Sequence, residues 1–535
     1  MTNDPNATSG AAARRPNVLL IITDQQRADH VGFMGNQVVR TPHLDAIAAR
    51  GTVFESAWVN NPVCMPNRST IMTGRMPSSH GVIFNDRSLE WAANTHVRQF
   101  RAAGYRTGLF GKSHLQHGMS RNSVMAPDGR PSVLDAFPAG WDHLEDEERY
   151  YDDVPPWPDD FYGFDTAELS INHGAAVTGH HFQWAVDRGA NPDHLRVPQS
   201  ADNPRTRGSD VWWQIYDPPY GEEFHSTSFV ADRTIDFIER ASAEGSPWLA
   251  WASFPDPHHP FTPPGRWYDR HHPDDMVLPD TFDDPMVGAP EYLKIVQRWR
   301  VDKMRNWVGL TGATSPEVTR AAMAANYGAI EMIDDRVGQI MATIGRLGQL
   351  DDTIVVFTAD HGEMMGDHFL MLKGYMHYRG TLQVPLVVSD PRRTAARTTS
   401  LAASIDIGPT LMDLCGVETY HGVQGTSQLP VLDDPTASVR DSVLIEDDLD
   451  WPKIDPFPTM IRTLITPEHR YSRYNTGEDG VYELATDDDE RTNLASTRPE
   501  LRSELIEGLT DAMMRHSERS RGAPVAEPAM VAPPV

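Results

Sequence analysis

Two cysteines in 535 residues, Cys64 and Cys415, are too few for a disulfide framework, so nothing here calls for an oxidising compartment. Basic residues are scarce beside acids: 47 Lys and Arg against 75 Asp and Glu, a formal net charge of −28. That balance argues against a nucleic-acid-binding protein and a polybasic membrane-surface protein. No apolar run approaches the roughly 18–20 residues of a membrane span. Residues 1–15 have no apolar stretch behind a basic start and do not read as a secretory signal, so a cytoplasmic location is expected. With 39% hydrophobic and 23% charged residues, the composition is globular and the chain is long enough for a large core. A small anionic substrate would need a local positive pocket, because the overall field repels anions.

What is present is organised around four short apolar runs, at 18–22, 105–110, 248–253 and 354–357. Runs of this length, rich in branched and aromatic residues, read as buried parallel strands. Each leads into residues with chemistry: Asp24 and Gln25, then Lys112 and His114, then Asp256, His258 and His259, then Asp360 and His361. Open α/β sheets place their sites just past the carboxyl ends of strands, so four such endings predict one shared site.

An amphipathic helix is predicted over 229–244. Ile330, Ile333, Val337, Ile340, Ile344 and Leu347 lie on one face of a longer helix. The fold class is therefore α/β, a mainly parallel central sheet sandwiched by helices. Residues 140–225 show weak periodicity and read as long loops, a substrate-facing lid. The doublets His180-His181 and His271-His272 match no motif and read as surface loop residues. Short strands at 460–466, 469–474 and 480–484 and a helix at 498–516 predict a small C-terminal antiparallel sheet with a terminal helix. The expected division is a flexible N-terminus (1–15), a catalytic α/β domain (16–440), an α+β subdomain (441–516) and a tail (517–535). The tail reads as mobile, or as an arm in a homo-oligomer, with a dimer expected.

The segment 61–74 carries the most information. Pro66 suits the first turn of a helix and Gly74 its end, which puts Cys64 at or just before a helix N-terminus. Free N–H groups and the positive dipole end favour an anion there, and Arg68 lies one turn on. Cys64 reads either as a nucleophile facing an oxyanion or as a buried structural thiol. Cys415, in the apolar stretch 410–414, reads as core.

Cys64-x-Pro66-x-Arg68, followed by Ser69, Thr73, Gly74 and Arg75, resembles the maturation signature of type I, formylglycine-dependent sulfatases. The resemblance extends through 17–24, 41–45, 51–54, 482–484, 487–490 and 493–494. It implies the alkaline phosphatase superfamily fold. It also implies a partner machinery that oxidises Cys64 to formylglycine, whose hydrate attacks sulfur. Asp24, Gln25, Asp360 and His361, with residue 64, are the implied ligands of one divalent metal ion. Oxygen ligands suit a hard cation, and the imidazole shifts preference from Ca2+ towards Mn2+. Most sulfatases carry Asp-Asp and Asp-Asn at these places; Asp-Gln and Asp-His is similar to the phosphonate monoester hydrolase branch. Lys112 and His114 pull the other way, resembling the Gly-Lys-x-His element of sulfatases.

By the same resemblance His258, with His259 as its competitor, binds substrate and, helped by Lys373, protonates or stabilises the leaving group. Arg68 and the ion stabilise the ionised diol, Asp360 steers its proton, and His114 is the base that reopens the aldehyde. Asn85 is a further polar contact to substrate. The implied activity is sulfuric ester hydrolysis, on aryl sulfates. The alternatives are a phosphonate monoester or phosphodiester hydrolase and, from another class, a non-catalytic anion-binding protein.

Overall fold

The computed structural model describes residues 15–85, 87–116, 140–151, 154–195, 204–303, 312–449, 456–487 and 489–517. The expected flexible N-terminus, but for Arg15, and the expected tail, but for Ser517, lie outside them. The eight strands of the main sheet are β1 (Asn17–Thr23), β2 (Thr52–Phe54), β3 (Arg106–Gly111), β4 (Thr166–Leu169), β5 (Trp248–Phe254), β6 (Thr353–Ala359), β7 (Leu386–Ser389) and β8 (Ala396–Thr398). Their order is β8-β2-β7-β6-β1-β5-β3-β4. Only β7 runs against the others, antiparallel to both β6 and β2.

Helices on both faces explain why β1 is apolar at consecutive positions. Val18, Leu20 and Ile22 face a core shared with α2 (Cys64–Thr73), α3 (His96–Ala102) and α7 (Ile407–Cys415). Leu19 and Ile21 face a second core built with α1 (Pro42–Ala48), α4 (His180–Asp187), α5 (Ser226–Ala243) and α6 (Pro316–Arg346). The expected face of α6 is buried at Ile330, Ile333, Val337, Ile340 and Ile344. The helix begins earlier than the periodic residues indicate, because Ser315 caps it by accepting the Val318 N–H and Pro316 suits its first turn. Cys415 is buried in α7, as expected.

Two readings are corrected. The stretch 140–225 is more than loop: β4 extends the sheet edge beside β3, and α4 packs on α5. His181 is fully buried, Nε2 bonded to the Phe224 carbonyl at 2.8 Å, and burial holds its imidazole down at about 3. His271 is bonded to Glu331, while His272 alone of these is exposed. An eight-residue helix after Gly179 is too short for its period to stand out from sequence. The C-terminal antiparallel sheet also has a fourth strand: β9 (Val443–Asp448) joins β10 (Met460–Ile465), β11 (His469–Tyr474) and β12 (Asp479–Glu483), with α8 (Pro499–Arg515) packed on them. Half of β9 is acidic and gives no apolar signature. Among the described residues no helix is long and apolar enough to cross a membrane.

Candidate active site

Strand register gathers the site. Thr23 lies opposite both Ala359 and Phe254, and Gly111 lies opposite Ser253, so β1, β6, β5 and β3 end at one level. Backbone bonds continue past the ends: Asp360 N–H to Thr23 O (3.1 Å), Asp24 N–H to Asp256 O (3.1 Å) and Lys112 N–H to Ser253 O (2.9 Å). Gly111 has φ +105°, and a Cβ there would fall 1.9 Å from the Ser253 carbonyl oxygen. Only glycine lets β3 approach β5 this closely one residue before Lys112.

Cys64 is the first residue of α2, and Gly74 ends it in the left-handed conformation. All ten residues of α2 are buried although half are polar. Buried polar groups need partners, and here the partners are the strand ends. Asn67 donates to the Asp360 carbonyl oxygen (2.5 Å). Arg68 donates through Nε to Asp360 Oδ2 (2.7 Å), through Nη2 to Asp24 Oδ2 (3.3 Å), and through Nη1 to Ser253 Oγ (2.8 Å) and the Lys112 carbonyl (3.0 Å). The guanidinium is thus committed to holding the two carboxylates in place. Asn85 Oδ1 accepts the Met65 N–H at 3.0 Å, serving the helix start directly after Cys64.

The Cys64 sulfur lies 3.1 Å from His361 Nε2, 3.3 Å from Lys373 Nζ and 3.8 Å from Asp24 Oδ1. Donor atoms of Asp24, Cys64, Asp360 and His361 all fall within 4.8 Å of one another. His361 Nδ1 bonds the Gly362 carbonyl (2.9 Å); a carbonyl only accepts, so Nδ1 carries a proton and Nε2 faces inward. Two carboxylates and one such nitrogen suit a single divalent cation.

Gln25, the further expected ligand, lies beside Asp360. It has φ +59°, and its backbone N–H donates to Asp360 Oδ1 (3.0 Å). Its amide nitrogen serves Glu363 Oε2 and His259 Nδ1, so the amide oxygen is turned to Lys373 Nζ (2.6 Å), which also meets the Cys64 sulfur. Glu363 also accepts the N–H groups of Met365 and Leu372. Replacing Glu363 by Gln lets the Gln25 amide turn over, and we expect ion affinity to fall roughly 10–100-fold, the usual cost of losing an outer partner of a ligand. Mn2+ titration followed by electron paramagnetic resonance reads this directly; unchanged affinity would remove Glu363 from the site's support.

Charge balance follows from these contacts. Burial would raise Asp24, but Lys112, Arg68 and Lys373 hold its carboxyl well below the ordinary range. Burial and Asp24 would raise the Cys64 thiol, yet Lys112, Lys373 and His361 keep it below its ordinary value. Burial, reinforced by Lys112 and Lys373, holds His114, His173, His258 and His259 well below the imidazole range. His258 Nδ1 bonds the His259 carbonyl and Nε2 meets Lys373 Nζ. Both competitors at 258 and 259 therefore belong to the site, His258 on Lys373 and His259 on Gln25. Lys112 Nζ pairs with Asp24 Oδ2 and with His173 Nε2. His114 has φ +54°, its ring stands edge-on to His173 at 6.3 Å, and its buried Nδ1 finds no partner among the described residues.

His173, Glu363 and Ser253 were not singled out in the sequence. Glu363 stands two residues past His361 and was within reach of the same motif. His173 follows a four-residue strand in an aperiodic stretch and left no signal.

Asp256, whose backbone carbonyl accepts the Asp24 N–H, has its Oδ2 accepting from Ser226 Oγ (3.0 Å) and Thr227 Oγ1 (3.2 Å). Burial pushes its carboxyl up to about 7 from 3.8. The unfolded chain loses this proton first, so stability falls as pH rises from about 4 to about 7 and stays reduced above. An Asp256→Asn variant should lack this loss, gaining up to about 4 kcal/mol at pH 8 relative to its gain at pH 4. Urea unfolding at the two pH values tests it; a pH-independent difference would contradict it.

A family model described as Sulfatase matches residues 16–417, and one described as N-sulphoglucosamine sulphohydrolase, C-terminal, matches 366–518. An arylsulfatase of Clostridium perfringens is 26% identical over 493 residues, covering 90% of this chain and 91% of its own. The multifunctional alkaline phosphatase superfamily protein PehA of Trinickia caryophylli is 27% identical over 433 residues, covering 78% and 77%. Among solved structures, phosphonate monoester hydrolase of Agrobacterium radiobacter superposes with a TM-score of 0.74 at 24% identity, covering 94% of this chain and 96% of that one. The last similarity carries the fold: a mostly parallel central sheet between helices, with a small C-terminal antiparallel sheet.

Proposed function

The chain belongs to the sulfatase family, hydrolases of sulfuric esters, and from that premise we propose that it cleaves aryl sulfate monoesters with Cys64 converted to formylglycine. The observation that carries this is the convergence on one sulfur: Cys64 Sγ stands at a helix start with a carboxylate, an inward imidazole nitrogen and a lysine all within 3.8 Å. When present, the aldehyde supplies through its hydrate an oxygen nucleophile, and a divalent ion on Asp24, Gln25, Asp360 and His361 supplies the charge that eases its ionisation.

The remaining work falls to this chain's own groups. Arg68 keeps Asp24 and Asp360 apart and aimed. Lys112 and Lys373 flank residue 64 and meet the oxyanion, overcoming the chain's net negative charge locally. His258 is held neutral by burial and by the cations around it, and it accepts from Lys373 in this geometry, so Lys373 brings the positive charge to the departing oxygen and His258 orients it. His114, also neutral, can accept a proton as the aldehyde re-forms. The imidazole of His361 favours Mn2+ over Ca2+ as the resident ion.

A second reading, phosphonate monoester hydrolysis, is favoured by Gln25 and His361 at the metal positions. Comparing kcat/KM for an aryl sulfate and an aryl phosphonate monoester on ion-loaded protein decides between them. A dominant phosphonate rate overturns the sulfate assignment. The mass of the peptide containing residue 64 tests the modification: an unmodified thiol in active protein would refute it.

A further inference from the structure

His173 stands outside every motif discussed above. It follows β4, the edge strand beside β3, whose end carries Lys112. Its neighbour Asn172 adopts φ +73°. The Asn172 side-chain oxygen accepts from both the His173 backbone N–H (3.0 Å) and ring Nδ1 (3.2 Å), and the Asn172 amide nitrogen donates to Glu147 Oε2 (3.4 Å). Since the amide oxygen only accepts, Nδ1 carries the proton and the Nε2 lone pair points inward. There it receives Lys112 Nζ, and it lies 4.0 Å from Asp24 Oδ2.

The His173 ring stacks on His258 with centroids 3.6 Å apart and planes 15° apart, and His258 stacks in turn on His259 at 4.1 Å and 26°. His258 repeats the same bonding, Nδ1 on a carbonyl oxygen and Nε2 on Lys373. The site therefore holds two lysine–imidazole pairs side by side, His258 with Lys373 and His173 with Lys112. A ring nitrogen of His173 is within 4.8 Å of the Cys64 sulfur, the distance set that also includes Asp24 and His258. A tetrahedral group joined to side chain 64 spans that gap. Among the described residues Asp24 and His173 take two of the three Lys112 protons, leaving the third for such a group.

We propose that His173 is a positioning residue of this site, accepting from Lys112 and holding it towards the transferring sulfuryl group. The inference rests on the sulfatase reading and adds a residue to it. No proton leaves His173 in this role; it accepts from Lys112 and packs against His258.

The test measures kcat and KM for 4-nitrophenyl sulfate, inhibition by inorganic sulfate, bound ion and thermal unfolding, in the wild type and in His173→Ala and His173→Gln. The alanine variant should lose on the order of 100-fold in kcat/KM. It should bind inorganic sulfate about tenfold more weakly, with ion content and unfolding unchanged. The glutamine variant, whose side-chain oxygen can accept from Lys112, should recover part of both. Unchanged sulfate inhibition with kcat/KM within about threefold of wild type, or losses that track lost ion or lost folding, would overturn the inference. A wild type inert to sulfate esters would sink the sulfatase reading itself; an active wild type beside an indifferent His173→Ala variant sinks only the role of His173.

Discussion

A Cys64→Ser variant should release one equivalent of phenol per protein and then stop. A serine oxygen in that position meets the same carboxylates, lysines and helix start, so it can still attack. It has no second oxygen on the same carbon, and therefore no internal route to expel sulfate. Steady-state turnover should fall by on the order of 10⁴-fold or more, the scale seen when a nucleophile is removed. Intact-mass analysis after exposure to an aryl sulfate should find the protein heavier by one sulfuryl group. Sustained turnover by the serine variant would show that the second oxygen is dispensable and would undo the proposed chemistry.

Replacing Arg68 by Leu should damage folding and catalysis together. The guanidinium is 1% exposed and uses Nε, Nη1 and Nη2 on Asp360, Ser253, the Lys112 carbonyl and Asp24. Leucine leaves two buried carboxylates without that cation. Removing one partner of a buried ionic cluster costs roughly 3–5 kcal/mol, so the urea midpoint of the ion-free protein should fall accordingly. An ion bound to the same carboxylates offsets part of the loss, so added Mn2+ should raise the variant's midpoint more than the wild type's. With Asp24 and Asp360 free to turn, kcat/KM should drop by about 10²–10³-fold. A variant of wild-type stability in chelator would show that Lys112 alone balances Asp24.

The fold was largely legible because its long strands are buried on both faces and read as unbroken apolar runs. Their ends could be recognised for the same reason: Asp24, Lys112, His258 and Asp360 interrupt sequences that are otherwise apolar. Short elements were harder. β4 has four residues and α4 eight, too few to show a period, and β9 ends in three acidic residues. The histidines at 180 and 181 consequently looked like loop residues, while His181 is packed inside.

Amino-acid order alone determined which chemical groups the protein possesses and that they follow strands: the thiol at a helix start, the carboxylates, the lysines and the histidines at 258 and 361. Local spacing suffices for that, since it sets the strand, the turn and the first helical residue. Only the tertiary structure decided how those groups divide their hydrogen bonds: Arg68 on the carboxylates, the Gln25 amide turned by Glu363, and His173 brought beside Lys112 from a distant part of the chain. Such partnerships arise from the register between strands far apart in sequence, and register is a property of the packed sheet that no single segment encodes.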